Sequence, residues 1–359
     1  MSKLKVSALQ GLSASSDAIT LANDGTCTAN ITNNLSNRNL IINGAMQIAQ
    51  RGTSFTSVTS SAYHLDRFYL YLQNTSAAFT VTQSTDSPDG FANSLKLDVT
   101  TADTSIASNE EIKIFHKLEG FEVQRFAKGT SAAKKFTLSF YLKTTKTGTY
   151  ICELYDRDNG RDVSGSYTVS DTNWNRYTID FPADTTGAFG NDNGSSLEIS
   201  WWLVAGSDTN SGSLDTTWGS SGDNGSATGQ VNFADSTSND LYITGVQLEA
   251  TDNGVATDFE HRSYAQELAL CQRYYEESQC TWAGYTAAAQ GNGSLNVIYM
   301  TQKRAAATLT KKVSETGVQS LTSVNLQDAH ISGFIVDTRI GSNGYGRFYD
   351  MIVASDAEL

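Results

Sequence analysis

The chain has 359 residues, of which 39% are hydrophobic and 18% charged, against about a quarter charged in an ordinary globular protein. That length carries a sizeable core and more than one domain, and Ser, Thr, Asn and Gly in place of charge favour strands with neutral outer faces over salt-bridged helices. A net charge of −13, with Lys134-Lys135 and Lys311-Lys312 as isolated basic pairs, excludes the basic face on which nucleic-acid binding depends.

The two prolines rule out proline-rich linkers and collagen-like repeats. No run of about 18 apolar residues occurs, so no membrane-spanning segment is predicted. Met1-Ser2-Lys3-Leu4-Lys5 lacks the apolar stretch of a secretory signal, which predicts synthesis in a cytoplasm.

Residues 1–38 are predicted to form a thin β-rich attachment segment. Leu4, Val6 and Ala8 alternate with polar residues, and Asn23-Asp24-Gly25 lies between two strand-like runs, a hairpin signal because Gly takes positive φ freely. So short a hairpin buries little alone, which predicts partner chains around it. Residues 39–260 carry strand-like runs at 40–42, 67–72, 79–83, 94–99, 111–117, 135–143, 148–155, 174–181, 196–204 and 241–249. Turn-forming clusters separate them, and the pattern predicts a jelly-roll β-sandwich. Phe136, Leu138, Phe140 and Leu142 mark one inward face; Leu197, Ile199 and Trp201 mark another. The polar stretch 207–229 is predicted as a long surface loop.

Within a linking segment at 261–280, a helix is predicted over 263–280, with Ser263 as N-cap and Gln266 as its capping-box partner. Residues 281–359 return to β patterning at Leu295, Val297 and Tyr299, then at 307–310, 331–337 and 347–354, predicting a small C-terminal β domain. Cys27, Cys152, Cys271 and Cys280 show no C-x-x-C spacing, which argues against zinc sites and redox pairs. On one continuous helix Cys271 and Cys280 would lie ~13 Å apart, too far for a disulfide. Free thiols are expected.

The run Asn39-Leu40-Ile41-Ile42-Asn43-Gly44-Ala45-Met46-Gln47-Ile48-Ala49-Gln50-Arg51-Gly52, followed by Tyr63-His64-Leu65-Asp66-Arg67-Phe68, resembles the opening of a domain common in bacteriophage tail-fibre and related virion structural proteins. Residues 244–249 look like that domain's last strand, and 259–264 with 267–275 resemble the helix that follows it. Residues 303–308 and 355–359 match features of a small C-terminal β domain, although the family more often has proline where Ala307 stands. The resemblance covers the chain from about residue 39 onward. It implies a jelly roll like a carbohydrate-binding module in a virion appendage, usually a trimer, and assigns no catalytic residue. In physical terms, Asn43-Gly44 offers a turn, Asp66 and Arg67 could form a buried pair, and Gly245 within a strand suggests a bulge or close chain approach.

Asp156, Asp158 and Asp162 alternate around Asn159-Gly160 in a way that suggests a structural calcium loop. The full twelve-residue pattern is absent, and Asn159-Gly160 is equally a hairpin turn. Glycan contact needs exposed aromatic faces beside hydrogen-bonding groups, for which Trp218, Trp202 and Trp174 are the candidates. Trp201 and Trp202, being adjacent in a strand, must face opposite ways, one toward the core. No G-x-S-x-G elbow is present, and His64, His116, His261 and His330 are read as structural.

These features together predict a non-catalytic subunit of a trimeric tail fibre or similar appendage in the virion. Residues 1–38 would tether it to tail or capsid proteins, and its body would contact host glycans. The alternatives are a capsid decoration protein or head fibre without receptor binding, and a glycan depolymerase, which would need two facing carboxylates.

Overall fold

A computed structural model describes residues 6–12, 18–21, 23, 27–29 (backbone only), 36–222, 224–287 and 291–359. At the N-terminal end Ala8–Leu9, Ile19–Leu21 and Cys27–Ala29 form a three-stranded antiparallel sheet. It leaves Val6, Leu9, Leu12 and Leu21 exposed. The Asp24-Gly25 turn and Leu4 lie outside the described residues.

The body is a jelly-roll β-sandwich. One sheet has six strands, in spatial order Asn175–Phe181, Lys135–Thr144, Asp240–Thr251, Ser94–Thr101, Ala78–Ser84 and Ser54–Val58. The other has seven: Gly219–Ser220, Arg161–Val169, Gly148–Asp156, Ser195–Ala205, Glu111–Glu119, Tyr69–Gln73 and Ala62–Tyr63. The chain passes repeatedly from one sheet to the other, and the period-2 faces meet between them. Phe136, Leu138, Phe140 and Leu142 face Leu197, Ile199 and Trp201 in one buried cluster. Each such side chain contributes ~1.5–3 kcal/mol through burial.

The segment that carries the family resemblance closes this sandwich. Leu40 N–H donates to Leu248 O at 3.1 Å, and Asn39 spans to the same strand, donating to Val246 O at 3.0 Å and accepting from Leu248 N–H at 3.2 Å. A Cβ on Gly44 would meet Val246 O at 2.2 Å, so only Gly fits there. Gly245 has φ +60° beside a register shift opposite Ser139 and Tyr141, and Phe91 packs against its Cα. Both alternatives expected at that position, bulge and close approach, are present together. Asp66 and Arg67 are fully buried but not joined to each other. Asp66 accepts from Gln50 N–H at 2.7 Å and from Gln50 Nε2 at 2.6 Å, while Arg67 pairs with Glu358.

The helix spans Tyr264–Gln272 with the Ser263–Gln266 capping box in place, and it ends eight residues earlier than predicted. No Gly or Pro stops it; instead Tyr275–Thr286 becomes a strand paired along Gly344–Asp356. Cys280 is therefore in a strand, and the helical spacing argument does not apply to it; Cys152, Cys271 and Cys280 are free and buried. Beyond the helix lie two sheets. The first contains Tyr275–Thr286, Gly344–Asp356, Thr308–Val313 and Thr316–Gln319; the second contains Asn292–Ile298, Gly333–Ile340 and Leu321–His330. They share a core around Phe334, Val336, Phe348, Met351 and Val353.

Buried charge joins this unit to the sandwich. Arg67 pairs with Glu358, donates to Lys117 O, and lies 3.4 Å from the Tyr274 ring centre. Arg51 reaches Asp356 at 3.0 Å and stacks on Tyr275 at 3.6 Å. Arg273 grips Glu119 with two bonds of 2.7 and 2.6 Å. Of these pairs only Arg67–Glu358 is buried on both sides, and removing one partner there leaves the other charge in the interior, at a cost of ~3–5 kcal/mol.

Candidate functional site

Strand alternation sends one set of side chains of the seven-stranded sheet into the core and the other outward. The outward set follows from the register. Tyr69 lies opposite Phe115 and Tyr71 opposite Lys113. Lys117 lies opposite Glu198, and Tyr155 lies between Glu198 on one side and Asp162 on the other. Together with Trp202, Glu111, Glu153 and Arg157 they line a groove of about 700 Å³. Its aromatic floor is organised: Tyr69 stacks on Phe115 at 4.6 Å, and Tyr71 is tilted on the same ring at 6.2 Å. Lys117 Nζ sits 4.8 Å from the Phe115 ring centre, and the Arg157 guanidinium sits 5.4 Å from that of Tyr155.

The stretch 207–229 builds one wall. It folds over the sheet rather than away from it, because Leu214 and Ala227 cover Ile151 and Trp202 while Trp218 packs on the main core. Ser164 Oγ donates to Ser226 O at 2.6 Å, Ser226 Oγ donates to Asp162 at 3.0 Å, and Gly219–Ser220 pairs with Arg161-Asp162. Asp208, Thr209, Ser221 and Ser226 consequently face the groove, and Leu359 closes the opposite end, where its carbonyl accepts from Lys117 at 3.1 Å.

Acidic groups set the electrostatics. Burial, together with Asp162 and Glu198, raises the Glu153 carboxyl to about 7, against the opposing pull of Lys113 and of Trp202 Nε1–H, which donates to it at 2.9 Å. Burial alone would lower Lys113; Glu153, Glu111 and Glu198 raise it instead. Burial lowers Lys117 despite Glu198.

The three tryptophans singled out from the sequence do not converge. Trp201 and Trp202 do face opposite ways, but both are buried. Trp202 is covered by the 207–229 wall, and Lys113 Nζ lies 4.3 Å over its ring, so it offers no open platform. Trp218 packs on the edge of the core, 5.4 Å from Phe136, with its Nε1–H donated to Pro182 O at 2.8 Å. Trp174 is half-buried on the outer face of the other sheet, donating to Asp86 at 3.0 Å and edge-on to Tyr242 at 6.2 Å.

Nor does the structure gather Asp156, Asp158 and Asp162. Asp156 lies opposite Arg161 and Asp162 opposite Tyr155, so the two aspartates point to opposite faces of the sheet. Asp156 is instead held by the buried Lys128, whose Nζ lies 2.6 Å from Asp156 and 2.9 Å from Asp184. Asp158 accepts from Gly190 N–H at 2.7 Å. Among the described residues no three His, Cys, Asp or Glu groups are placed to hold a metal ion.

The groove tyrosines were not among the sequence candidates. The one signal for them was aromatic residues on the outward phase of alternating strands, as in Tyr69-Leu70-Tyr71-Leu72.

No family model matches the chain, and no curated protein does. Among solved structures it is similar to the enzymatically active domain of tailspike protein 4 of bacteriophage CBA120, at 14% identity and TM-score 0.31, over 59% of this chain and 21% of that one. It is similar at 12% identity and TM-score 0.31 to a putative sugar-binding protein of Bacteroides thetaiotaomicron, over 60% of this chain and 100% of that one. A family 11 carbohydrate-binding module of Clostridium thermocellum, in complex with a β-1,3-1,4-mixed-linked tetrasaccharide, matches at 10% identity and TM-score 0.29, over 56% of this chain and 98% of that one. The chain thus spans about a fifth of the tailspike it matches.

Proposed function

We propose that this chain is a non-catalytic glycan-binding subunit of a bacteriophage appendage, a trimeric tail fibre or similar structure, and that the groove on the seven-stranded sheet holds the sugar. The observation that carries the glycan reading is the groove itself. It joins half-buried aromatic faces, Tyr69, Tyr71 and Tyr155, to carboxylates, amines and hydroxyls on one rigid sheet. Aromatic faces take the apolar face of a pyranose, and the polar groups take its hydroxyls. A binding role fits better than hydrolysis because Glu153 is 7% exposed and committed to Trp202. The virion assignment rests on the motifs at 39–52 and 63–68, and the trimer on the exposed apolar residues of the N-terminal sheet. Three weak sites gain strength through avidity.

Binding of the purified protein to host cells, compared with Tyr155→Ala, tests the groove: retention of full binding by the variant would overturn it. Gold-labelled antibody against residues 281–359 on intact virions tests the appendage. Gold over the capsid would instead favour a decoration protein, and light scattering of the purified chain should give three times its 38.7 kDa.

A further inference from the structure

We infer that the groove selects its sugar by charge, preferring one that bears a free amine and excluding those that bear carboxylate or sulfate. This deepens the glycan reading of the groove and rests on it. At pH 6 the groove is lined by four carboxylates, Glu111, Asp162, Glu198 and Asp208, and by three cations, Lys113, Lys117 and Arg157, while Glu153, raised to about 7, is mostly protonated.

The cations are already engaged. Lys113 pairs with Glu111 at 3.1 Å and caps Trp202. Arg157 pairs with Glu198 at 3.0 Å. Lys117 donates to Leu359 O at 3.1 Å and lies over Phe115. An incoming anion must break one of these contacts and also meet the acidic excess.

An incoming ammonium finds one carboxylate outside these contacts, since among the described residues Glu111 and Glu198 are held by Lys113 and Arg157, Glu153 by Trp202 and Asp162 by Ser226, while Asp208 is not. Asp208 is exposed on the wall and lines the groove. Carboxylates accept hydrogen bonds from an ammonium, whose three protons can reach several acceptors at once. Opposite charge in a partly dry groove attracts more strongly than on an open surface.

The test is titration calorimetry of the intact chain with three matched tetrasaccharides, β-1,4-linked glucosamine, N-acetylglucosamine and glucuronate, at pH 6 in low salt. The amine should bind about tenfold tighter than the N-acetyl form, and the glucuronate should not bind. That preference should collapse in 1 M NaCl, where charges are screened within about 3 Å, while the N-acetyl affinity holds. Asp208→Asn should cost the amine severalfold and leave the N-acetyl form unchanged. Asp350→Asn, on the distant C-terminal sheet, should change neither and so reports non-specific attraction to an acidic chain. Equal binding of all three sugars, or tighter glucuronate, overturns the charge inference and leaves the groove as a sugar site. An amine preference lowered as much by Asp350→Asn as by Asp208→Asn also overturns it. Binding of none of the three overturns the groove reading itself.

Discussion

The two outer faces of the sandwich carry similar side chains and differ in how those side chains are spent. On the six-stranded sheet Lys96 pairs with Asp240 at 3.1 Å, Lys135 with Asp180 at 2.6 Å and Lys143 with Asp86 at 2.7 Å. Trp174 gives its one N–H to Asp86. On that face each of these lysines sits beside its own carboxylate. On the seven-stranded sheet the 207–229 wall and Leu359 turn a comparable set of aromatics and charges into a groove in which carboxylates outnumber cations. Aromatic and charged residues on a strand are therefore not yet a site. The walls, which come from elsewhere in the chain, make the difference.

The strongest way to break the contrast is to remove what lies beneath the groove. Arg67→Met should destabilise the protein by ~3–5 kcal/mol, because the buried Glu358 would lose its closest partner and keep only Arg51 at 3.4 Å, and Lys117 O would lose its donor. Denaturant unfolding measures this, and a loss below 1 kcal/mol would show that the pair is not buried in solution. Glu153→Gln sharpens the contrast through pH. The folded state binds the Glu153 proton more tightly than the unfolded state, so the wild type loses stability as pH rises from the ordinary carboxyl range, near 4.5, through about 7. Gln keeps an acceptor for Trp202 without the charge. The variant should therefore gain on the order of 2 kcal/mol relative to wild type between pH 5 and pH 8, and a difference that stays constant over that range would refute the electrostatic origin.

Tyr155→Ala should weaken sugar binding about tenfold, or ~1.4 kcal/mol, while Trp174→Ala should leave it unchanged. The reverse result in a titration would move the site to the other sheet. Smallest of all, Lys143→Ala should shift stability by less than ~1 kcal/mol, since exposed pairs contribute little; a larger melting shift would mean that this face is also built for a purpose.

What could be read from the sequence follows the range of the interactions involved. The inward faces of 135–144 and 195–205, the Ser263 cap and the opposed Trp201 and Trp202 are local, set by periods of 2 and 3.6. The burial of Trp202 was not local, because its cover comes from Leu214 and Ala227 in a stretch whose composition is that of an open loop. Asp156 looked like a metal ligand because Lys128, its partner, stands 28 positions away. The helix overran because 273–280 offers no stop signal, and only pairing with 344–356 reveals the strand. The groove joins strands spread from residue 69 to residue 202, so no window of sequence could contain it.

The closure at Asn39 also sets a schedule for biosynthesis. Its partner Leu248 lies 209 residues downstream, and Arg262, which bonds the carbonyl of Ile41 at 2.9 Å, is later still. At 5–20 residues per second a ribosome needs roughly 10 to 40 s to supply them. Through that interval hairpins such as 78–84 with 94–101 can form, but the six-stranded sheet lacks the 240–251 strand that joins its halves. The nascent chain therefore carries open sheet edges and an uncovered apolar face for tens of seconds. Low charge on the strands offers little protection against edge-to-edge association. Slower growth temperatures or a holdase should raise the folded yield, because the last strand to arrive is the one that holds the two halves together.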